Sequence, residues 1–365
     1  MQHLNLISSL VQVRAGQSED LGPIHGNQCP TMSEILLVFF LPIFSTNYMP
    51  GLNIVPVTTM NYHDDVDQSQ TIPESAYYPT RASLDAAANQ ASKGGNAPKV
   101  LLLSHPQNPL GICYPPHVIQ ECIDWCRENK IHLVSDEIYA GSVYAGPEIS
   151  KFKSAMELGA TTSDGNDVGL GLGPYIHLVY ALSKDFALSG LRVGVSYSEN
   201  PDIRLPLQKL NDLCCISSQT QMLVEKMLTT TTTNSDDGNK DAQLWTDKFL
   251  EQNHQRLLQR ATTLQNTLDE LNIPYLNSTA GLFLWMDLRE FLPSLDDDTT
   301  PSADDERERA LYLELLMDYG LLFTPGRSMK NELPGFFRCV FTAASDEEFA
   351  LGLERLRKYV HTKRS

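Results

Sequence analysis

A short apolar segment that runs into a lysine-bearing loop constrains this chain more than any other feature. Residues 176–182 are almost wholly apolar, which is typical of a strand buried in an α/β sheet. Lys184 follows directly, and Arg192 lies eight residues further on. Ligands of open α/β sheets bind beyond the carboxyl ends of the strands, so we expect Lys184 to be shielded from bulk water there. A shielded amine can lose its proton and attack a carbonyl carbon, and a fixed arginine can hold a phosphate group.

Two further apolar strands bring polar side chains to the same predicted edge. Asn108 follows a strand predicted at residues 100–104, and Asp136 follows a strand predicted at residues 131–135. A helix predicted at residues 116–129 separates them, so they form a βαβ unit with parallel strands. A buried aspartate keeps a pyridine nitrogen protonated, and the protonated ring then accepts electrons from a substrate carbon. Together with the lysine and the arginine of the loop, this pattern predicts pyridoxal 5'-phosphate as the cofactor.

The charge balance and the cysteine spacing exclude several other classes of protein. Asp and Glu number 45 against 28 Lys and Arg, which gives a formal net charge of -17. Such an acidic chain disfavours nucleic acid and anionic membranes as partners. The seven cysteines have no paired CxxC spacing, so neither a zinc site nor a disulfide framework is indicated. Because no signal peptide or membrane-spanning segment is indicated either, we expect a cytoplasmic protein.

The predicted elements divide the chain into three parts. Residues 1–34 mix polar residues, Gly and Pro without a sustained period, which indicates a divergent and poorly ordered N-terminus. Residues 35–230 contain the strands described above and form the predicted cofactor-binding large domain. Residues 231–365 contain a long amphipathic helix followed by alternating strands and helices, which predicts a smaller C-terminal α/β domain.

Several motifs, taken in order, resemble those of the class I and II aminotransferases of fold type I. They are Asn108-Pro-Leu-Gly111, Ser135-Asp-Glu-Ile-Tyr-Ala-Gly-Ser-Val143, Ser183-Lys-Asp185 with Arg192-Val-Gly194, Ala280-Gly-Leu-Phe-Leu-Trp-Met-Asp287 and Phe337-Arg338. The similarity extends over residues 97–360 and is greatest to the 1-aminocyclopropane-1-carboxylate synthase subgroup. It implies a fold-type-I transferase, with a mostly parallel central sheet in an incomplete large domain and a smaller α/β domain.

The resemblance also implies a role for each matched position and a homodimer, since two subunits normally complete each site in this family. The implied roles are the Schiff base and proton transfer for Lys184, the pyridine nitrogen for Asp136, the ring oxygen for Tyr139 and Asn108, phosphate for Ser183 and Arg192, and the substrate carboxylate for Arg338. No metal is implied. The substrate class is an α-amino acid, with S-adenosylmethionine as the substrate of the most similar subgroup.

The sequence departs from the family pattern on the phosphate side and near its beginning. Family members carry a hydroxyl three residues before the lysine, where this chain has Ala181. Residues 1–60 contain neither the Gly-rich turn that holds phosphate through backbone amides nor the early tyrosine offered to the neighbouring subunit. Phe44 is the candidate for the aromatic residue that stacks on the cofactor ring. These departures predict a truncated or replaced N-terminal part of the large domain.

Two questions of function stay open on the residues alone. Return of a proton to the cofactor carbon gives transamination, whereas loss of a γ-leaving group with ring closure gives a cyclopropane amino acid. The residues do not decide between these reactions. The competing class is a non-catalytic relative that has lost its phosphate site and acts as a binding partner.

Overall fold

Short apolar runs form the strands of the first sheet. The computed structural model describes residues 35–36, 54–59, 72–93, 97–145, 152–160, 171–213, 215–232, 243–294 and 303–365. Within these ranges the first sheet has the strand order β1-β5-β4-β3-β2. The strands are β1 (Ile35–Leu36), β2 (Val100–Ser104), β3 (His132–Asp136), β4 (Ile176–Ala181) and β5 (Gly194–Ser198). β2, β3 and β4 are parallel, and β5 and β1 continue the sheet in antiparallel pairing.

The predicted βαβ unit is confirmed, and its helix shows why the sequence folds this way. Helix α2 (Pro116–Asn129) connects β2 to β3 and begins with a proline, whose fixed φ suits the first turn. Apolar residues spaced three and four apart, among them Ile119, Cys122 and Cys126, are buried on one face of the helix. They pack in one cluster with Leu133 of β3 and Leu178 of β4. The remaining elements of the first half are helices α1 (Arg81–Ser92), α3 (Ala155–Gly159), α4 (Leu182–Asp185), α5 (Pro201–Leu213) and α6 (Ser218–Thr229).

A second sheet and its helices form the C-terminal part of the chain. The sheet has the order β10-β11-β9-β8, and its described pairings are all antiparallel. Its strands are β8 (Tyr275–Leu276), β9 (Phe283–Asp287), β10 (Thr324–Pro325) and β11 (Phe336–Val340). A two-residue pairing of β6 (Thr231–Thr232) with β7 (Gln243–Leu244) precedes it. The helices are α7 (Trp245–Glu270), α8 (Ala303–Met317) and α9 (Asp346–Arg364).

The long helix α7 contacts both hydrophobic cores. Leu250, in its N-terminal part, packs with the core of the first sheet. Leu257, Leu264 and Leu268 pack instead with the core of the second sheet. The domain boundary predicted between residues 230 and 231 stays a prediction, because packing of α7 on both cores does not test it. The predictions for residues 1–34 and for Phe44 lie outside the described residues.

No helix in the described ranges is both long enough and apolar enough to cross a membrane.

Candidate active site

The three parallel strands bring the predicted site residues to one edge of the first sheet. Ser104 of β2 pairs with Asp136 of β3, and Asp136 pairs in turn with Val179 of β4. The carboxyl ends of these strands are therefore aligned. Asp136 is the last residue of β3, Lys184 lies in α4 directly after β4, and the loop that holds Asn108 follows β2. All three residues therefore lie at or just beyond the aligned strand ends, on the predicted edge of the sheet.

Asp136 is a buried carboxylate beside Lys184. Its residue is 7% exposed, and its Oδ1 accepts a hydrogen bond from the Ile138 N–H at 3.2 Å. Burial raises the pKa of Asp136 to about 6, while the Ile138 N–H and the charge of Lys184 lower it and the charge of Glu137 raises it. A cationic N–H donor placed against this carboxylate would recover the electrostatic free energy that burial costs.

Tyr139 and Asn108 converge on Arg338 from two different loops. The Arg338 Nη1 donates to Asn108 Oδ1 at 2.7 Å. Phe283 of β9 contacts both Tyr139 and Arg338. Its ring packs edge to face against the Tyr139 ring, with 5.3 Å between the two ring centroids, and the Arg338 Cζ lies 5.3 Å from the Phe283 ring centroid. Tyr139 is buried, and burial raises the pKa of its hydroxyl to about 12. Its phenol therefore stays protonated near neutral pH and can donate a hydrogen bond.

Arg338 has donor capacity left for an anion. Its Nη2 lies 3.3 Å from the Thr324 Oγ1, while its buried Nε has no hydrogen-bond partner in the described residues. Burial lowers the pKa of Arg338 from its ordinary value. Since a buried unsatisfied N–H costs free energy and an arginine fork matches a carboxylate, the geometry suits a carboxylate ligand. The predicted role of Arg338 fits this arrangement.

The prediction that Lys184 is shielded from water was wrong for the single chain, in which this residue is exposed. The reason is local: in the one-turn helix α4, Leu182 and Asp185 are the residues that turn toward the interior. Lys184 lies between them on the outer side. Its ammonium still acts on the buried Asp136, since its charge lowers the pKa of that carboxyl.

The predicted phosphate ligands lie on the loop around α4. Ser183 is half-buried, whereas Arg192 is exposed, has a left-handed φ of 54° and donates from Nη1 to the Ser189 carbonyl at 3.1 Å. Ala181, at the first position of this turn, is buried and supplies no side-chain cap. Phosphate binding by Ser183 and Arg192 stays a prediction.

The residues fit pyridoxal phosphate at its ring and at the substrate carboxylate. Asp136 is a buried carboxylate with which a protonated pyridine nitrogen would pair. The Arg338 Nε has no hydrogen-bond partner in the described residues, so it is available to donate to an anion. Sequence reasoning missed three residues here: Thr324, Phe283 and Asp185. Phe283 lies within one of the quoted motifs, and Asp185 directly follows the lysine, so the sequence motifs could have pointed to both residues. No motif pointed to Thr324, since its contact depends on the pairing of β10 with β11.

Comparisons with known proteins agree with this geometry. The family described as aminotransferase class I and II matches residues 45–356. The chain is 33% identical over 310 residues to 1-aminocyclopropane-1-carboxylate synthase 11 of Arabidopsis thaliana, covering 85% of this chain and 58% of that protein. It is 32% identical to 1-aminocyclopropane-1-carboxylate synthase 1 of Prunus mume, covering 85% of this chain and 54% of that protein. The chain therefore spans somewhat over half the length of these relatives.

A solved structure shows the same fold. A single mutant of Thermus thermophilus aspartate aminotransferase superposes with a TM-score of 0.59 at 20% identity, covering 79% of this chain and 62% of that one. The predicted α/β fold of type I is confirmed. Aminotransferases of this class and 1-aminocyclopropane-1-carboxylate synthases depend on pyridoxal phosphate, which bears out the cofactor prediction. On the match over most of its length and the identity to these relatives, the chain belongs to the aminotransferase class I and II family.

Proposed function

We propose that this chain acts on the α-carbon of an amino acid, with chemistry of the 1-aminocyclopropane-1-carboxylate synthase type. One observation carries the proposal: the charge of Lys184 acts on the buried Asp136. The Tyr139 hydroxyl in turn interacts electrostatically with Asp136 and with Arg338, whose Nε has no hydrogen-bond partner in the described residues. A carboxylate partner for a pyridine nitrogen, a primary amine and an anchor for a carboxylate are the groups that such a reaction needs.

Each residue has a distinct part in this proposal. When bound, pyridoxal phosphate supplies an electron sink that stabilises negative charge on the α-carbon of the substrate. Asp136 would pair with the protonated pyridine nitrogen, and Tyr139 and Asn108 would each donate a hydrogen bond to the ring oxygen. Lys184 would hold the cofactor, and after the substrate amine has displaced it, its free amine would take the proton from the α-carbon.

The phosphate and the substrate are held by arginines and small hydroxyls. Ser183 and Arg192 bind the phosphate from the loop around α4, with Ala181 contributing no hydroxyl. Arg338 binds the substrate carboxylate and is itself oriented by Asn108 and Thr324. Because bidentate geometry fixes a carboxylate in one plane, this pairing would restrict the orientation of the α-carbon in the site.

The names of the relatives support the choice of reaction. Both relatives quoted above are named 1-aminocyclopropane-1-carboxylate synthases, and S-adenosylmethionine is accordingly the substrate we propose. We also propose that the protein forms a homodimer and that it is located in the cytoplasm. Exposed apolar side chains on α5 and α6 support a second copy of the chain as the partner. They are Leu205, Leu210, Leu213, Met222 and Leu223.

A product assay tests the reaction. Purified protein with pyridoxal phosphate and S-adenosylmethionine is expected to release methylthioadenosine, and Lys184→Ala protein is expected to release none. Formation of a keto acid from an α-amino acid, without methylthioadenosine, would show transamination instead. Absence of both products from protein that carries the cofactor would reject catalysis at this site.

A further inference from the structure

The carboxylate of Asp185, the residue after Lys184, joins the lysine turn to the loop that holds Tyr139. Asp185 is 1% exposed and accepts hydrogen bonds from at least three donors in the described part of the chain. The Gly141 N–H lies 2.7 Å from Oδ2, the Ser142 Oγ 2.6 Å from Oδ1 and the Tyr180 hydroxyl 2.9 Å from Oδ2. Gly141 and Ser142 follow Tyr139 by two and three residues. The buried carboxylate therefore holds two segments of the site in fixed register.

The Gly141 peptide is held on both of its sides. Its N–H donates to Asp185, and its carbonyl accepts from the His254 Nε2 of helix α7 at 2.7 Å. A Cβ on residue 141 would lie 2.7 Å from the Asp185 Oδ2, so only glycine allows this approach. The next residue continues the connection, because the Ser142 carbonyl accepts from the Gly281 N–H, two residues before Phe283.

We propose that Asp185 is a positioning residue, which fixes the backbone of Lys184 relative to Tyr139 and Asp136. This inference rests on the proposed function of the site. Lys184 is exposed on a single turn of helix, and its side chain has no hydrogen bond or ion pair among the described residues. The neighbouring Asp185 carboxylate instead fixes the place of Lys184 through three hydrogen bonds. Displacement of a reacting group by about 1 Å can cost roughly 100-fold in rate, so this anchoring matters for chemistry.

Asp185→Asn and Asp185→Ala separate anchoring from charge. In Asp185→Asn the side-chain oxygen can accept from Gly141 and Tyr180, while the new amide donates to the Ser142 Oγ, so all three bonds can persist. Asp185→Ala removes all of them. The exposed Asp202→Asn serves as the matched control. Three readouts are taken: cofactor fixed on Lys184 by borohydride and located by mass spectrometry, the pH midpoint of the visible absorbance of the loaded protein, and the melting temperature.

Anchoring predicts a pattern that a general loss of stability does not produce. At limiting pyridoxal phosphate we expect Asp185→Ala to fix about tenfold less cofactor and to shift the pH midpoint, with Asp185→Asn restored to within about twofold. Fixation and midpoint equal to wild type in Asp185→Ala would overturn the inference. Equal impairment of Asp185→Asn and Asp185→Ala would also overturn it, because the charge and not the anchoring would then matter.

Milder variants keep the test valid where Asp185→Ala does not fold. Ser142→Ala and Tyr180→Phe each remove one donor, and we expect each to lower fixation by about threefold. Unchanged fixation in both would contradict the inference. If wild-type protein fixes no cofactor at all, the proposed function itself fails. Failure of the Asp185 inference alone is distinguishable, because wild-type protein then still carries the cofactor.

Discussion

The buried Asp136 carboxylate lowers the stability of the folded chain near neutral pH, although the proposed function requires it. The folded chain buries this carboxylate, and burial raises its pKa from 3.8 to about 6. The folded state therefore retains a proton that the unfolded state has already lost between these pH values. The stability that this group contributes falls as the pH rises from about 4 to about 6 and stays low above that range. A bound pyridine nitrogen that carries a proton would offset this cost.

We expect Asp136→Asn to stabilise the cofactor-free protein at pH 7.5, because it removes the buried charge. The gain is up to about 3 kcal/mol, from a pKa shift of roughly two units at about 1.4 kcal/mol each. At pH 4, where wild type is protonated, the two proteins should be nearly equal. Urea unfolding at both pH values measures the difference, with the exposed Asp202→Asn as the control. A difference independent of pH would contradict this account of Asp136.

Replacing Arg338 by lysine should weaken substrate binding without affecting the cofactor. Lysine keeps the charge but loses the planar fork and the Nη contacts to Asn108 and Thr324. We expect the KM for the amino acid to rise about 100-fold, which corresponds to about 2.7 kcal/mol of lost carboxylate binding. Cofactor fixation on Lys184 should be unchanged.

Arg289 provides a matched control for Arg338. Its Cζ also lies over a phenylalanine ring, 5.0 Å from the Phe336 centroid, but its guanidinium is paired with Asp287. Arg289→Lys should therefore leave the KM near the wild-type value. Similar KM values for Arg338→Lys and wild type would remove Arg338 from the carboxylate site.

At the scale of elements, the asparagine loop and the start of β9 meet at a crowded glycine. Gly111 has a φ of +73°, and its carbonyl accepts from the N–H groups of Thr279 and Ala280. A Cβ at this position would lie 2.6 Å from the Ser278 Oγ and 2.7 Å from the Phe283 carbonyl oxygen. Only glycine combines this backbone conformation with this close approach.

Gly111→Ala is expected to destabilise the protein by about 2–4 kcal/mol, from the left-handed backbone and the contact with fixed backbone atoms. Gly352→Ala in helix α9 is the matched control, since no described atom outside its own stretch of helix backbone lies within 4 Å of its added Cβ. That variant should gain about 0.5–1 kcal/mol from helix propensity. Thermal unfolding of both proteins checks the opposite signs. Equal stability of Gly111→Ala and wild type would show that the loop relaxes without cost.

The strands and their connections could be predicted from the sequence because they depend on local pattern. The apolar runs before Asn108, Asp136 and Lys184 predicted the three parallel strands, and the sequence motifs indicated the family. The exposure of Lys184 could not be predicted in the same way, because it depends on which face of a one-turn helix packs inward. The three hydrogen bonds to Asp185 likewise join residues more than 40 positions apart or on opposite sides of a turn.

For the whole molecule, the exposed apolar side chains of α5 and α6 predict self-association. Leu213 is 82% exposed and Met222 is 69% exposed, and burying such side chains favours association. We expect wild-type protein to sediment at twice the chain mass of 40.7 kDa and the double variant Leu213→Asp, Met222→Asp to sediment as a monomer. Leu322→Asp, at a residue 70% exposed on the C-terminal part, is the control and should remain a dimer. A double variant that stays dimeric would place the interface elsewhere.

The central claim is that this chain holds pyridoxal phosphate on Lys184, although it spans somewhat over half the length of its relatives and has alanine at position 181. Borohydride reduction of the purified protein with pyridoxal phosphate, followed by peptide mass spectrometry, tests this claim most directly. We expect one cofactor mass on the peptide that contains Lys184, and none in Lys184→Ala. Unmodified Lys184 at saturating cofactor, or equal labelling of the Lys184→Ala protein, would contradict it.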